Sequence, residues 1–143
     1  MNAIYETDFY GWIQQQAALL KGRQFEAVDL ANIIEEIESM GRSEYRALES
    51  RLTVLLQHLL KWKFQPERRG KNWELSIDEQ RIRFDRLLRE NPSLKSALNT
   101  ILTEAYRLAV VKAAKETKLD KKSFPAECPW SWEELVDAEF YPY

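Results

Sequence analysis

The run from residue 30 to residue 62 constrains the fold of this chain more than any other stretch. Leu30, Ile33, Ile34 and Ile37 lead through Gly41 to Tyr45, Leu48, Leu52, Leu55, Leu59 and Trp62 without losing the three-and-four spacing of a helix. A pattern of that length predicts one long helix, with Leu30, Ile33, Ile34 and Ile37 marking the core direction at its start. Gly41 costs about 1 kcal/mol relative to alanine inside a helix. A kink there, or a break into two helices with Ser43 as a second N-cap, is the alternative.

The remaining segments follow the same rule. Phe9, Trp12, Ile13, Ala17 and Leu20 form one stripe, with Thr7 as N-cap and Gly22 as terminator. Residues 65–75 combine Pro66 and Gly70 with polar side chains and read as a loop. Ser76 and Glu79 form a capping box that opens the next helix. Asn91-Pro92 ends it, because proline drives the preceding residue out of helical geometry while suiting the first turn of a new helix. That new helix places Leu94, Leu98, Ile101, Ala105 and Leu108 on one face, and Ala109, Ala113 and Ala114 leave room for a close neighbour. The tail, with its three prolines and two tryptophans, reads as an aromatic-anchored strap around one short helix opened by Ser131 and Glu134.

These elements predict an all-α fold: an antiparallel four- to five-helix bundle around one long central helix, continuous or kinked, with a C-terminal aromatic strap, forming a single domain over residues 1–143. At 143 residues the chain can bury a core without disulfides or metal. Only four glycines and five prolines leave little material for strands joined by tight turns. The one cysteine, Cys128, has no partner for a disulfide or a CxxC zinc site. The N-terminus lacks the basic start and apolar run of a secretory signal, and no window approaches ~18 consecutive apolar residues. The expectation is a soluble cytoplasmic protein with no membrane contact.

The cluster Glu35, Glu36 and Glu38, with His58 downstream, raises the question of metal or acid–base chemistry. At about 100° per residue Glu35 points away from the expected core, while Glu36 and Glu38 take opposite flanks. On a continuous helix His58 lies ~30 Å beyond Glu38, whereas metal–ligand bonds are near ~2 Å. The expectation is a solvated face, with no metal and no cofactor. Di-metal bundles use paired ExxH motifs, and none occurs. The acids are similar to the EExxE pattern of all-α, magnesium-dependent nucleotide pyrophosphohydrolases, but Glu38 stands where the spacing fails and no ExxD follows within the next thirty residues.

Arg81 falls near the centre of the stripe Ile77, Phe84 and Leu88 and should point inward. A guanidinium there must be hydrogen-bonded, and Asp29, Glu36 or Glu38 could supply a carboxylate. The alternative is that it reaches water along its aliphatic stem. Asp29, Glu36, Glu38, His58 and Arg81 therefore form the candidate polar cluster.

A second candidate is the run KWKFQPERRGKNW. Lys61, Lys63, Arg68, Arg69 and Lys71 alternate there with aromatics including Trp73, the composition that single-stranded nucleic acid or another anion requires. Glu67 and Glu74 dilute the field, and Trp62 and Phe64 suit the end of a core. Charge is uneven along the chain: residues 61–89 carry nine Lys/Arg against five Asp/Glu, and residues 1–60 five against nine. Ser39, Ser43 and Ser50 have no histidine within reach for a triad, and no glycine-rich phosphate loop occurs.

Several motifs are recognisable together: DFYGW at 8–12, DLANIIEEIESMGRSEYRALESRL at 29–52, HLLKW at 58–62, QPERR at 65–69, Trp73, EQR at 79–81, NPSL at 91–94 and FPAECPW at 124–130. In order and spacing the chain resembles a bacterial family, common in cyanobacteria, known as the domain of unknown function numbered twenty-nine. DLANII stands where that family more usually reads DLENLI. The resemblance implies a compact all-helical cytoplasmic protein and carries no activity, substrate or catalytic residue. The expected functions rank as a non-catalytic binding or assembly module, self-association through the long helix included; then a nucleic-acid-associated protein using residues 61–73; then a metal-dependent hydrolase of the bundle type.

Overall fold

Six α-helices and no strand make up the described part of the chain in the computed structural model, which covers residues 3–143. Helices α1 (Ala3–Thr7) and α2 (Phe9–Lys21) precede a long α3 (Leu30–Phe64); α4 (Lys71–Glu90), α5 (Leu98–Thr117) and a short α6 (Trp132–Val136) follow. The all-helical bundle expected from the periodicity is what the chain forms. Two compact units divide it, Met1–Ser43 and Glu44–Tyr143.

In α3, 35 residues run as one helix without a break at Gly41. The chain on both sides favours helix, so the glycine is carried through. A methyl group built on Gly41 meets nothing within 4 Å. Gly41→Ala should therefore raise stability by about 1 kcal/mol, read as a higher urea midpoint at low protein concentration. A lower midpoint would contradict an unobstructed helical position.

In the first unit, Asp8 and not Thr7 caps α2, because Thr7 is still helical in α1. The Asp8 carboxylate accepts from the Gly11 N–H at 3.0 Å. A Cβ at Gly11 would lie 2.3 Å from the Asp8 Oδ2, so only glycine leaves space for this cap. The buried side chains here are Trp12 and Gln16. Trp12 packs against Tyr5 and Phe9, with ring centroids at 4.7 and 5.7 Å.

In the second unit the core is continuous. Leu48, Leu52, Leu55, Leu56, Leu59 and Leu60 of α3 are buried against Ile77 and Phe84 of α4 and Ile101, Ala105 and Ala109 of α5. Helix α4 begins five residues before the expected capping box, at Lys71, with extended Gly70 preceding it. Trp73, Ile77, Gln80, Arg81 and Phe84 share one helical face, and that packing extends the helix across a stretch that reads as loop. The break at Asn91-Pro92 is real, but Pro92–Ala97 forms a 3-10 turn before α5 starts at Leu98. On α5 the buried positions step by four, Ile101, Ala105, Ala109 and Ala113, so Leu108 falls off the face and is exposed. The three buried alanines permit close helix packing.

The tail is strapped down by rings: Phe124 on Phe64 at 5.1 Å, Trp132 on Phe84 at 5.9 Å and Tyr141 on Trp62 at 4.9 Å. The Ser131–Glu134 capping box opens α6 as expected.

Candidate functional site

Asp29, Glu36, His58 and Arg81 of the candidate polar cluster each have a structural partner, and Glu38 stands exposed. Asp29 accepts from the Asn32 amide at 2.8 Å and the Trp12 indole N–H at 3.0 Å. Those hydrogen bonds hold its carboxyl below the usual carboxylate range. Its backbone N–H donates to Gln16 Oε1 at 2.7 Å. Glu36 accepts from the Tyr5 hydroxyl, and that bond is the main reason the Tyr5 phenol is pushed up to about 12. Glu35 pairs with Arg42 at 3.0 Å on the surface, and Glu38 is exposed. The three glutamates diverge, as helical geometry requires. His58 Nδ1 lies 2.9 Å from the Val54 carbonyl, one turn back on its own helix, and burial lowers its pKa. Among the described residues, no three His, Cys, Asp or Glu side chains are grouped as metal ligands.

Arg81 points inward and is 7 % exposed, but its acceptors are backbone carbonyls and not a carboxylate. Nε donates to Leu135 at 2.8 Å and Nη2 to Glu134 at 3.3 Å, while the guanidinium lies 5.6 Å from the Tyr141 ring. Arg69 does similar work, donating to the carbonyls of Trp62 at 2.6 Å and Pro142 at 3.3 Å. These two arginines bind the tail through its backbone, which any tail sequence would supply.

The basic, aromatic run is partly consumed in the same way. Lys61 is buried, paired with Glu116, and lies 4.8 Å over the Trp73 ring. Arg69 also sits over Trp62 at 5.2 Å. Arg68 and Lys71 are exposed and Lys63 is half-buried.

The feature that stands apart is apolar. In the first unit Phe9, Tyr10, Ile13, Leu20, Phe25, Leu30, Ile34, Ile37 and Met40 are between 39 % and 74 % exposed. Leu30, Ile34 and Ile37 were expected to face the core. The face of α3 that this unit uses is instead Asp29, Asn32, Ile33 and Glu36, about 100° around the helix. Polar anchors to Trp12, Gln16 and Tyr5 set that rotation, and apolar periodicity does not register them. The length of the unit was the available signal: a piece of some forty residues is too small to bury two apolar stripes of its own.

A groove lies on the second unit, with a cavity volume of about 890 Å³. Leu108, Val111, Phe124 and Pro125 supply apolar walls, and Lys121 and Lys122 stand among its lining residues. Glu49 and Glu104 also line it, the latter paired with Arg107 at 3.5 Å. Asp120 accepts from the Lys122 N–H at 2.8 Å and fixes the turn that presents the two lysines.

No helix of the described residues is long and apolar enough to cross a membrane. Neither a curated protein nor a solved structure matches the chain. The model of the domain of unknown function DUF29 matches residues 4–141, nearly the whole chain, and the protein belongs to that family.

Proposed function

We propose that the protein is a non-catalytic assembly module of the bacterial cytoplasm that associates with further copies of itself through the apolar face of its first unit. The observation that carries this reading is the set of nine large apolar side chains left more than a third exposed within residues 9–40. At on the order of 100 Å² each they amount to about 900 Å² of apolar surface over α2, the turn after it and the start of α3. A standard interface takes about 800 Å² from each partner, so the face is of the size a stable contact needs. On α3, Leu30, Ile34, Ile37 and Gly41 lie in one stripe, and the open space at Gly41 leaves its backbone accessible to a neighbour.

Light scattering across a micromolar concentration series tests this. The wild-type chain should show mass rising above that of the monomer. Ile34→Glu/Ile37→Glu should keep its helix content and weaken association by more than about thirtyfold, since each change places a carboxylate in a desolvated contact. A wild-type protein that stays monomeric to high micromolar concentration, or a double variant that associates as well as wild type, ends the proposal.

A further inference from the structure

The two units differ in charge as well as in exposure. Residues 1–43 carry three Lys/Arg against seven Asp/Glu, a net charge of −4, and residues 44–143 carry eighteen against sixteen, a net charge of +2. A two-fold contact of the apolar face with itself would bring together two units of net negative charge, each with the exposed Glu38 beside its apolar stripe. Like charges opposed across a desolvated contact are unfavourable and select against that arrangement.

The groove of the second unit has the opposite character. Residues 112–122 hold five lysines, Lys112, Lys115, Lys118, Lys121 and Lys122. The ion pairs among the described residues are Arg42–Glu35, Lys61–Glu116, Arg83–Glu79, Arg86–Glu90, Arg89–Asp85 and Arg107–Glu104, so none of the five is engaged. The two acids of that stretch are occupied: Glu116 by Lys61 and Gln57, and Asp120 by the backbone of Lys122. Of these, Lys121 and Lys122 line the groove, together with Arg107 and the exposed apolar side chains Leu108 and Val111, each 45 % accessible, and Glu49 and Glu104 line it as well. A groove with apolar walls and unpaired cations at its edge fits an amphipathic helix with acidic flanks. The start of α3 is such a helix, with Leu30, Ile34 and Ile37 on one stripe and the exposed, unpaired Glu38 beside it.

We propose that assembly is head to tail: the acidic apolar face of the first unit of one molecule seats in the basic groove of the second unit of the next. This rests on the self-association reading above and names its geometry. One such contact leaves the first molecule with a free groove and the second with a free face, so association closes reciprocally or into a larger ring, or runs on as an open chain.

Two blocked variants separate the arrangements. Ile34→Glu/Ile37→Glu removes the face and Lys121→Glu/Lys122→Glu, at exposed positions, removes the groove. Each alone should be monomeric at concentrations where the wild type is assembled. Their equimolar mixture should form a 1:1 complex with affinity near that of one wild-type junction, because one partner keeps the face and the other the groove. That affinity should fall by tenfold or more on going from low to high salt, as expected for an interface drawn together by opposite charges. A lysine variant that assembles as well as wild type, or a mixture that yields no 1:1 complex while the wild type assembles, overturns the head-to-tail geometry and leaves self-association standing. Wild-type protein that remains monomeric throughout overturns both.

Discussion

Trp12→Ala will release α1 and α2 while the unit from Glu44 to Tyr143 stays folded. Trp12 is 2 % exposed, is stacked on Phe9 and edged by Tyr5, and donates its indole N–H to Asp29. Truncating a buried tryptophan typically costs about 3–5 kcal/mol. The first unit has little to set against that loss, since Gln16 is the other buried side chain among its described residues. Six leucines of α3 hold the second unit without help from Trp12. Hydrogen exchange should show amides 9–21 losing protection while amides 48–60 keep theirs, the pattern of a subglobal opening. Trp12→Phe, which keeps a ring and loses the donor, should fall between wild type and Trp12→Ala. Retained protection across 9–21 in Trp12→Ala would show that the tryptophan is not the anchor of the unit.

The second large effect is expected at Arg81. Its planar fork holds two carbonyls near the end of α6, and its guanidinium lies against Tyr141, whose hydroxyl donates to Asp78 at 3.0 Å. Burial pushes the guanidinium pKa below its ordinary value, opposed by Tyr141, Asp137 and Asp78, and the group stays charged at neutral pH. Arg81→Met leaves the Leu135 and Glu134 carbonyls without their donor. Hydrogen bonds from a charged group are worth about 1.5–3 kcal/mol each. Arg81 Nη1 and Gln80 Oε1 are buried without a partner, and that cost offsets part of the gain. The net loss should be about 2–3 kcal/mol in urea unfolding, with earlier proteolytic cutting of the strap after Phe124. Arg81→Lys should recover less than half, because an ammonium cannot reproduce two donors in a fixed plane. An unchanged midpoint for Arg81→Met would mean that the tail is held by its rings alone.

Both predictions concern residues whose surroundings the periodicity of the chain left open. Trp12 was legible as a stripe residue, but not the rotation that buries it while Phe9 and Ile13 stay exposed. Arg81 was legible as inward-pointing, because its position between Ile77 and Phe84 requires it. Its acceptors were not, since a backbone carbonyl 54 residues away has no letter in the sequence.

What the sequence determined by itself is local: the helical state of 30–64, the stop at Asn91-Pro92, the capping box at Ser131, and the divergence of Glu35, Glu36 and Glu38. Each depends on spacing along a single segment and on the dihedral limits of proline and serine-capped turns. Tertiary structure decided that a polar face and not the apolar stripe is covered at the start of α3, where α4 begins, and that Lys61 and Arg69 hold parts of the fold together. Those outcomes depend on which side chains of distant segments meet. The exposed face at the start of α3 is the clearest instance, because a stripe of leucine and isoleucine reads the same whether its partner is the same chain or the next one.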